Sequence, residues 1–491
     1  MLKTTNFFQK YEQHLTVPDQ LVCVLSASRH GVVGLGLLLL VSCGGGSGGA
    51  AQPATPSNSQ ESSTVTVEVT KSSPIAVNIP IIAGASDPFG GNAAGTAALD
   101  FDGDGLKDLV ITPSYLSRQP ELPVILLRQT TTGFVDATNT SFSSGVPTTG
   151  VARTALVADF NGDGKDDYFA ADTGLEVVNN GSFLLSQNRL FASGLRGTLS
   201  ASQPPTLAFN HGACKGDIDG DGRVDVIVAP LSPPKSYILL NTTTGFVFNQ
   251  SQLPPELRTF TAQDFNPSSC TLADMNGDGK LDLIMSSYGD GIAANAPNSP
   301  YATGTRIFFN DGLGRFAAST VSLPRPVGVD WGSTSIYAVD FDKNGLLDIL
   351  IAYETVLTPR FAIQLWSQVS SGNYRDTTVS AFGAYETDIG FWRELDVGDF
   401  NGDGTVDIYL KKLAHEQGSF EESLRKRILL NDGTGKFAPT TKSMVLSQSV
   451  NPAFLVFSGF SNGRMTLLGY QALGNGAVYT SLIPLKLSLK F

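Results

Sequence analysis

Six short segments carry most of the chemistry open to this chain. They read DFDGDGLKD from Asp100, DFNGDGKDD from Asp159, DIDGDGRVD from Asp217, DMNGDGKLD from Asp274, DFDKNGLLD from Asp340 and DFNGDGTVD from Asp399. Each has oxygen-bearing side chains at positions 1, 3, 5 and 9 and glycine at position 6. Those residues are Asp100, Asp102, Asp104 and Asp108; Asp159, Asn161, Asp163 and Asp167; Asp217, Asp219, Asp221 and Asp225; Asp274, Asn276, Asp278 and Asp282; Asp340, Asp342, Asn344 and Asp348; and Asp399, Asn401, Asp403 and Asp407. Alternate residues of a tight loop aim at one point, and three or four carboxylates there repel each other unless a cation joins them. An all-oxygen donor set suits a hard ion, and Ca2+ takes about 6–8 such ligands. The expectation is up to six Ca2+ ions. Position 7 would add a backbone carbonyl, and the glycine before it permits the sharp turn. The loops at Asp100 and Asp217 hold four carboxylates and the others three, so those two are expected to bind most tightly.

The elements that hold these loops can be read from the residues on their C-terminal side. An EF-hand would place Glu at position 12 and helices on either side. Here position 12 is Ile111, Ala170, Val228, Met285, Ile351 or Leu410, within apolar runs that read as buried strands. The loops therefore join strand to strand. Their starts are 59, 58, 57, 66 and 59 residues apart. A further step of about this length reaches SGFSNGRMTLLGY around Gly459, which looks like the same unit with its acids gone. A second hairpin often comes after each loop, as in YILLNTTTGFVF from Tyr237 and RILLNDGTGKF from Arg427. Each unit is thus about four strands. Small residues precede the loops (GTAAL at Gly95, GACKG at Gly212, SCTLA at Ser269), as suits an innermost strand near a crowded axis.

The loops and the LLNDGTGKF-type hairpins resemble the FG-GAP/VCBS repeats of bacterial surface proteins and the calcium-binding blades of integrin α subunits. The resemblance spans nearly all of 64–491. It implies an all-β fold: a seven-bladed β-propeller of four-stranded blades, with calcium loops in six blades and on one rim. The literal Phe-Gly…Gly-Ala-Pro signature is poor, Phe89-Gly90 being its nearest trace, so the loops carry the match. Two alternating segments, TVTVEVT from Thr64 and IPLKLSLKF from Ile483, could pair in the last blade and close the ring.

The chain has 33 basic and 45 acidic residues among 491, a formal charge of −12. An acidic balance argues against nucleic acid as a partner, because phosphates need a basic footprint. Twenty of those 45 acids stand at loop positions 1, 3, 5 and 9, so outside the loops 25 acids face 33 bases. The acidity belongs to the loops. The only long apolar run, Gly31 to Ser42, has 12 residues, whereas a spanning helix needs roughly 20. Residues 1–42 are read as a signal peptide. Its end, Leu40-Val41-Ser42-Cys43, resembles the bacterial lipobox. That resemblance implies lipidation of Cys43 and, with Gly44 next in the chain, an outer-membrane lipoprotein on the periplasmic or cell-surface face. Residues 43–63 are rich in Gly, Ser and Pro and read as a flexible tether, leaving 64–491 for the propeller.

A second site would lie at the mouth opposite the loops. Arg153, His211 and Arg393 stand six residues before loop starts, and Trp331, Trp392 and Asp264 fall near the same level. Such a set could bind a protein or glycan ligand, or could be packing and surface. An alternative reading is a carbohydrate-active enzyme, polysaccharide lyase or hydrolase-like, with Arg153, His211 and Arg393 as weak catalytic candidates. No GxSxG, HExxH or P-loop signature is present, and a binding, adhesion or scaffold role is favoured. Contact with the membrane is expected through the N-terminal lipid alone. Cys214 and Cys270 precede adjacent loops by three and four residues. This opposite parity suits an inter-blade disulfide and equally suits two thiols facing away.

Overall fold

In a computed structural model, the residues described are 64–81, 88–89, 95–115, 121–142, 145–179, 182–184, 186–193, 199–202, 207–259, 265, 267–287, 304–325, 332–353, 362–383, 395–411 and 419–491. Their main sheets are seven, arranged as the blades of a β-propeller, beside three two-stranded sheets. The longest helix among them, Phe420–Arg427, has eight residues. None is long and apolar enough to cross a membrane.

Blades 1 to 6 each consist of four strands in chain order. In blade 3 these are Asn210–Gly216, Asp225–Pro230, Tyr237–Thr242 and Gly245–Asn249. The first strand of each blade is innermost, and the inner strands of neighbouring blades pack on one another. That is where the small residues lie. A Cβ on Gly212 would meet the Ser268 carbonyl oxygen of blade 4 at 2.3 Å, so only glycine fits. The second strand is buried along its whole length, as in DVIVAP of blade 3 and DILIAY of blade 5, because both of its faces meet a neighbouring blade. This explains why those strands read as continuous apolar runs.

Cys214 and Cys270 bridge the inner strands of blades 3 and 4, with Cα atoms 5.6 Å apart. Of the two arrangements open to the sequence, the cross-link is the one found. It closes a loop of 56 residues, for which chain entropy gives roughly 4 kcal/mol. A Cys214→Ser/Cys270→Ser double variant is expected to melt roughly 5 °C lower than the parent. Thermal unfolding with and without reductant checks this: the parent should fall to the variant's midpoint on reduction, and the variant should not move.

Blade 7 is built from both ends of the propeller sequence. Phe454–Ser461, Arg464–Gly474 and Val478–Lys490 form its first three strands. Thr64–Lys71 supplies the fourth, antiparallel to Val478–Lys490, with Val67 opposite Leu489 and Val69 opposite Leu487. Ser443–Leu446 adds a parallel strand outside it, and Ile75–Pro80 pairs with the other end of Val478–Lys490. Where the other blades have an acidic loop, blade 7 has a two-residue turn. Asn462 and Gly463, both at positive φ, join its first two strands.

Candidate metal centre

Each acidic loop joins the innermost strand of its blade to the second. All six fold in the same way, because each side chain is used by the backbone around it. The position 1 carboxylate turns back over the loop and accepts the position 6 N–H at 2.7–2.9 Å. Position 3 accepts from the N–H of position 5, and position 5 from that of position 7. Asn serves as well as Asp in these bonds, since both offer an Oδ1, so Asn161, Asn276, Asn344 and Asn401 do not alter the loop backbone. Glycine at position 6 has φ of 79–85° in every loop. The fifth loop places Lys343 rather than glycine at position 4, also at positive φ.

Position 9 is different. Asp108, Asp167, Asp225, Asp282, Asp348 and Asp407 are buried. One oxygen of each accepts the N–H of position 2 in its own loop. The other accepts a backbone N–H from the third strand of its blade (Gln129, Ser193, Asn241, Gln368 and Asn431) or, in blade 4, from Asn310 just past that strand. Position 2 is an apolar residue (Phe101, Phe160, Ile218, Met275, Phe341 or Phe400) buried in the core, which seats the loop on the sheet.

In three loops the carboxylates of positions 1, 3 and 9 converge. Ligand oxygens of Asp100, Asp102 and Asp108 lie within 4.8 Å of one another, as do those of Asp217, Asp219 and Asp225 and those of Asp340, Asp342 and Asp348. These are the loops with Asp at position 3; the other three carry Asn there. Burial pushes the Asp108 carboxyl up to about 8, Asp407 to about 7, and Asp225 and Asp348 to about 6. The N–H donors oppose this, and the neighbouring loop carboxylates add to it. Asp167 and Asp282 are raised for the same first cause. A buried carboxylate that resists ionising, converging with two partly exposed ones, fits a divalent cation, which would favour its charged form. The three clusters can hold metal ions.

The residues expected at the far mouth are only partly within the described set. Trp331, Trp392, Arg393 and Asp264 lie outside the described residues. Arg153 and His211 stand near the starts of the inner strands of blades 2 and 3, at the end away from the loops. His211 is buried, with Nδ1 3.1 Å from the Ser268 carbonyl oxygen of the next blade. A buried acid near this end, Asp172, carries no signal in the sequence. It accepts the N–H groups of Gly150, Val151 and Gly174, and Arg189 Nε lies 3.9 Å from it. Cys43 also lies outside the described residues.

The sequence profile of the FG-GAP-like repeat matches residues 100–170 and 217–285. Each match starts at position 1 of one loop and runs into the second strand of the next blade. These segments are FG-GAP-like repeats. Between them the matched repeats hold four of the six loops, and the same hydrogen-bond pattern extends to the fifth and sixth. A stretch of 158 residues is 30% identical to integrin alpha-IIb of Mus musculus, covering 29% of this chain and 14% of that protein. Among solved structures, a rhamnogalacturonan lyase of Bacillus licheniformis aligns with TM-score 0.39 and 13% identity, over 82% of this chain and 74% of that one. The exotype rhamnogalacturonan lyase YesX aligns with TM-score 0.35 and 14% identity, over 82% and 67%. Likeness at that level says nothing about activity.

Proposed function

We propose that this chain is an exported propeller whose FG-GAP-like loops bind Ca2+, and that it serves as a surface binding, adhesion or scaffold protein. The observation that carries the reading is the convergence of three carboxylates in each of the Asp100, Asp217 and Asp340 loops. The shared backbone pattern extends the reading to the Asp159, Asp274 and Asp399 loops, with Asn161, Asn276 and Asn401 offering an amide oxygen in place of a carboxylate. Asp104, Asp163, Asp221, Asp278, Asn344 and Asp403 complete the sets. The FG-GAP-like repeats and the local likeness to an integrin chain support a place outside the cell. Lipid on Cys43 would hold the chain at the outer membrane, and residues 43–63 would be the tether. The partner is a protein or a glycan.

Calcium calorimetry on the metal-stripped chain tests the metal reading. The expected result is up to six sites in more than one class, the Asp100 and Asp217 loops being the tighter. No heat and no change in melting would overturn it, and a single class of equal sites would overturn the ranking. Labelling with a palmitate analogue tests Cys43, and pull-downs from envelope extracts with and without calcium test the partner. The enzymatic alternative predicts unsaturated product from acidic polysaccharides, lost in His211→Ala; the binding reading predicts none.

A further inference from the structure

Four of the residues whose backbone N–H holds a position 9 carboxylate turn their side chains to the preceding blade. Asn241 of blade 3 donates its amide Nδ2 to the Phe160 carbonyl, position 2 of the loop in blade 2, at 2.7 Å. Asn310 of blade 4 donates to Ile218 of blade 3 at 2.8 Å. Gln368 of blade 5 donates to Met275 of blade 4 at 3.3 Å, and Asn431 of blade 6 to Phe341 of blade 5 at 2.8 Å. All four amide residues are buried. The position 2 residue that each one grips gives its own N–H to the position 9 Asp of its loop.

These bonds join end to end. Asp167 is held by Phe160, whose carbonyl is held by Asn241, whose backbone N–H holds Asp225. The same three links repeat from Asp225 to Asp282, from Asp282 to Asp348 and from Asp348 to Asp407. Blades 1 and 2 are joined differently. Ser193 turns its hydroxyl onto Asp167 and Asp163 of its own loop. Asp166 instead accepts from the Asp100 N–H at 2.8 Å and from Lys107 Nζ at 2.5 Å.

We infer that Asn241, Asn310, Gln368 and Asn431 are positioning residues that couple metal binding at one loop to the loop of the next blade. This rests on the metal reading above. An ion that orders one loop fixes the peptide plane of position 2. That carbonyl then fixes the amide residue whose N–H aims the next position 9 carboxylate. The second loop has less disorder to lose when its own ion arrives. A tie of this kind corresponds to a coupling of about fivefold in affinity.

Hydrogen exchange of the peptide spanning 217–225, monitored across a calcium titration of the full chain, reads the midpoint of that loop alone. With the loop of blade 2 disabled by Asp159→Ala, the midpoint should rise about fivefold. In an Asn241→Ala background, which keeps the backbone N–H to Asp225, Asp159→Ala should no longer move it. Asn241→Gln should restore the shift, because Gln368 makes the same tie in blade 5. An equal shift with and without the Asn241 amide, or no shift in either, overturns the coupling. Absence of calcium protection in every loop would instead overturn the metal reading. Should Asn241→Ala fail to fold, Asn310→Ala read on 274–282 against Asp217→Ala repeats the test one blade on.

Discussion

Stripping the metal is expected to lower the melting temperature by roughly 10–20 °C, and the loss should grow as pH rises from 5 to 8. Each loop occupied at calcium a hundredfold above its dissociation constant contributes about 2.7 kcal/mol, so three loops give about 8 and six about 16. The pH dependence comes from the buried acids. In the metal-free fold the Asp108 carboxyl is raised from 3.8 to about 8 by burial, against the N–H bonds that favour its charged form. Asp407, Asp225 and Asp348 are raised to about 7, 6 and 6. The metal-free fold therefore holds protons more tightly than the unfolded chain between about pH 4 and pH 8. Its stability is present at the acid side of that window and lost as pH rises through it. Calcium competes with those protons, so its stabilisation runs the other way. Protein stripped at pH 8 and dialysed to each pH, melted with and without added calcium, gives both curves. A calcium increment that shrinks toward pH 8 would contradict the assignment of these acids as ligands.

Opening the ring at blade 7 is the second large effect expected. Val65 and Val67 are fully buried and Val69 nearly so, packed in a cluster with Leu467, Leu485, Leu487 and Leu489. Val67→Asp places a carboxylate in that cluster with no partner. The expected loss is about 4–5 kcal/mol. Thr66→Asp, one residue away on the solvent face, should change stability by no more than about 0.5 kcal/mol. Urea unfolding of the two variants separates these outcomes. Equal effects would mean that the strand Thr64–Lys71 does not close the propeller in solution.

Much of this architecture could be read from residue types. The loops declared themselves because one site needs the same atoms at the same offsets six times. The apolar residues at position 12 then excluded an EF-hand. Blade closure was legible because Val65, Val67 and Val69 alternate against Leu485, Leu487 and Leu489. The ties between loops were not legible. Asn241, Asn310 and Asn431 sit in segments such as LLNTTTGF and LLNDGTGK, where asparagine before a turn is ordinary hairpin chemistry. Their distance from position 9 varies from 16 residues for Asn241 to 28 for Asn310, because the connection between the second and third strands differs in length, 231–236 in blade 3 against 288–304 in blade 4. A contact that depends on two blades meeting leaves no fixed spacing. The recurring signal was an amide near the end of the third strand, or just past it, in five of the six blades with an acidic loop, Ser193 of blade 2 being the exception. The same logic explains Asp172, which is met by Gly150 and Val151 from before its strand and by Arg189 from the next strand of its sheet.

Closing a ring with its first strand also sets an order of events. Thr64–Lys71 has its partners at 443–446 and 485–490, close to 400 residues further on. A chain delivered N-terminus first at about 5–20 residues per second keeps that strand waiting for roughly 20–80 s before its place exists. Through that interval it is an unpaired strand with an apolar face, the kind of edge that invites pairing with another copy. Glu68 on its outer face and Lys71 at its end are the charges that discourage such pairing meanwhile. Six blades can form in sequence as they emerge, but the seventh makes the first residues of the propeller the last to settle.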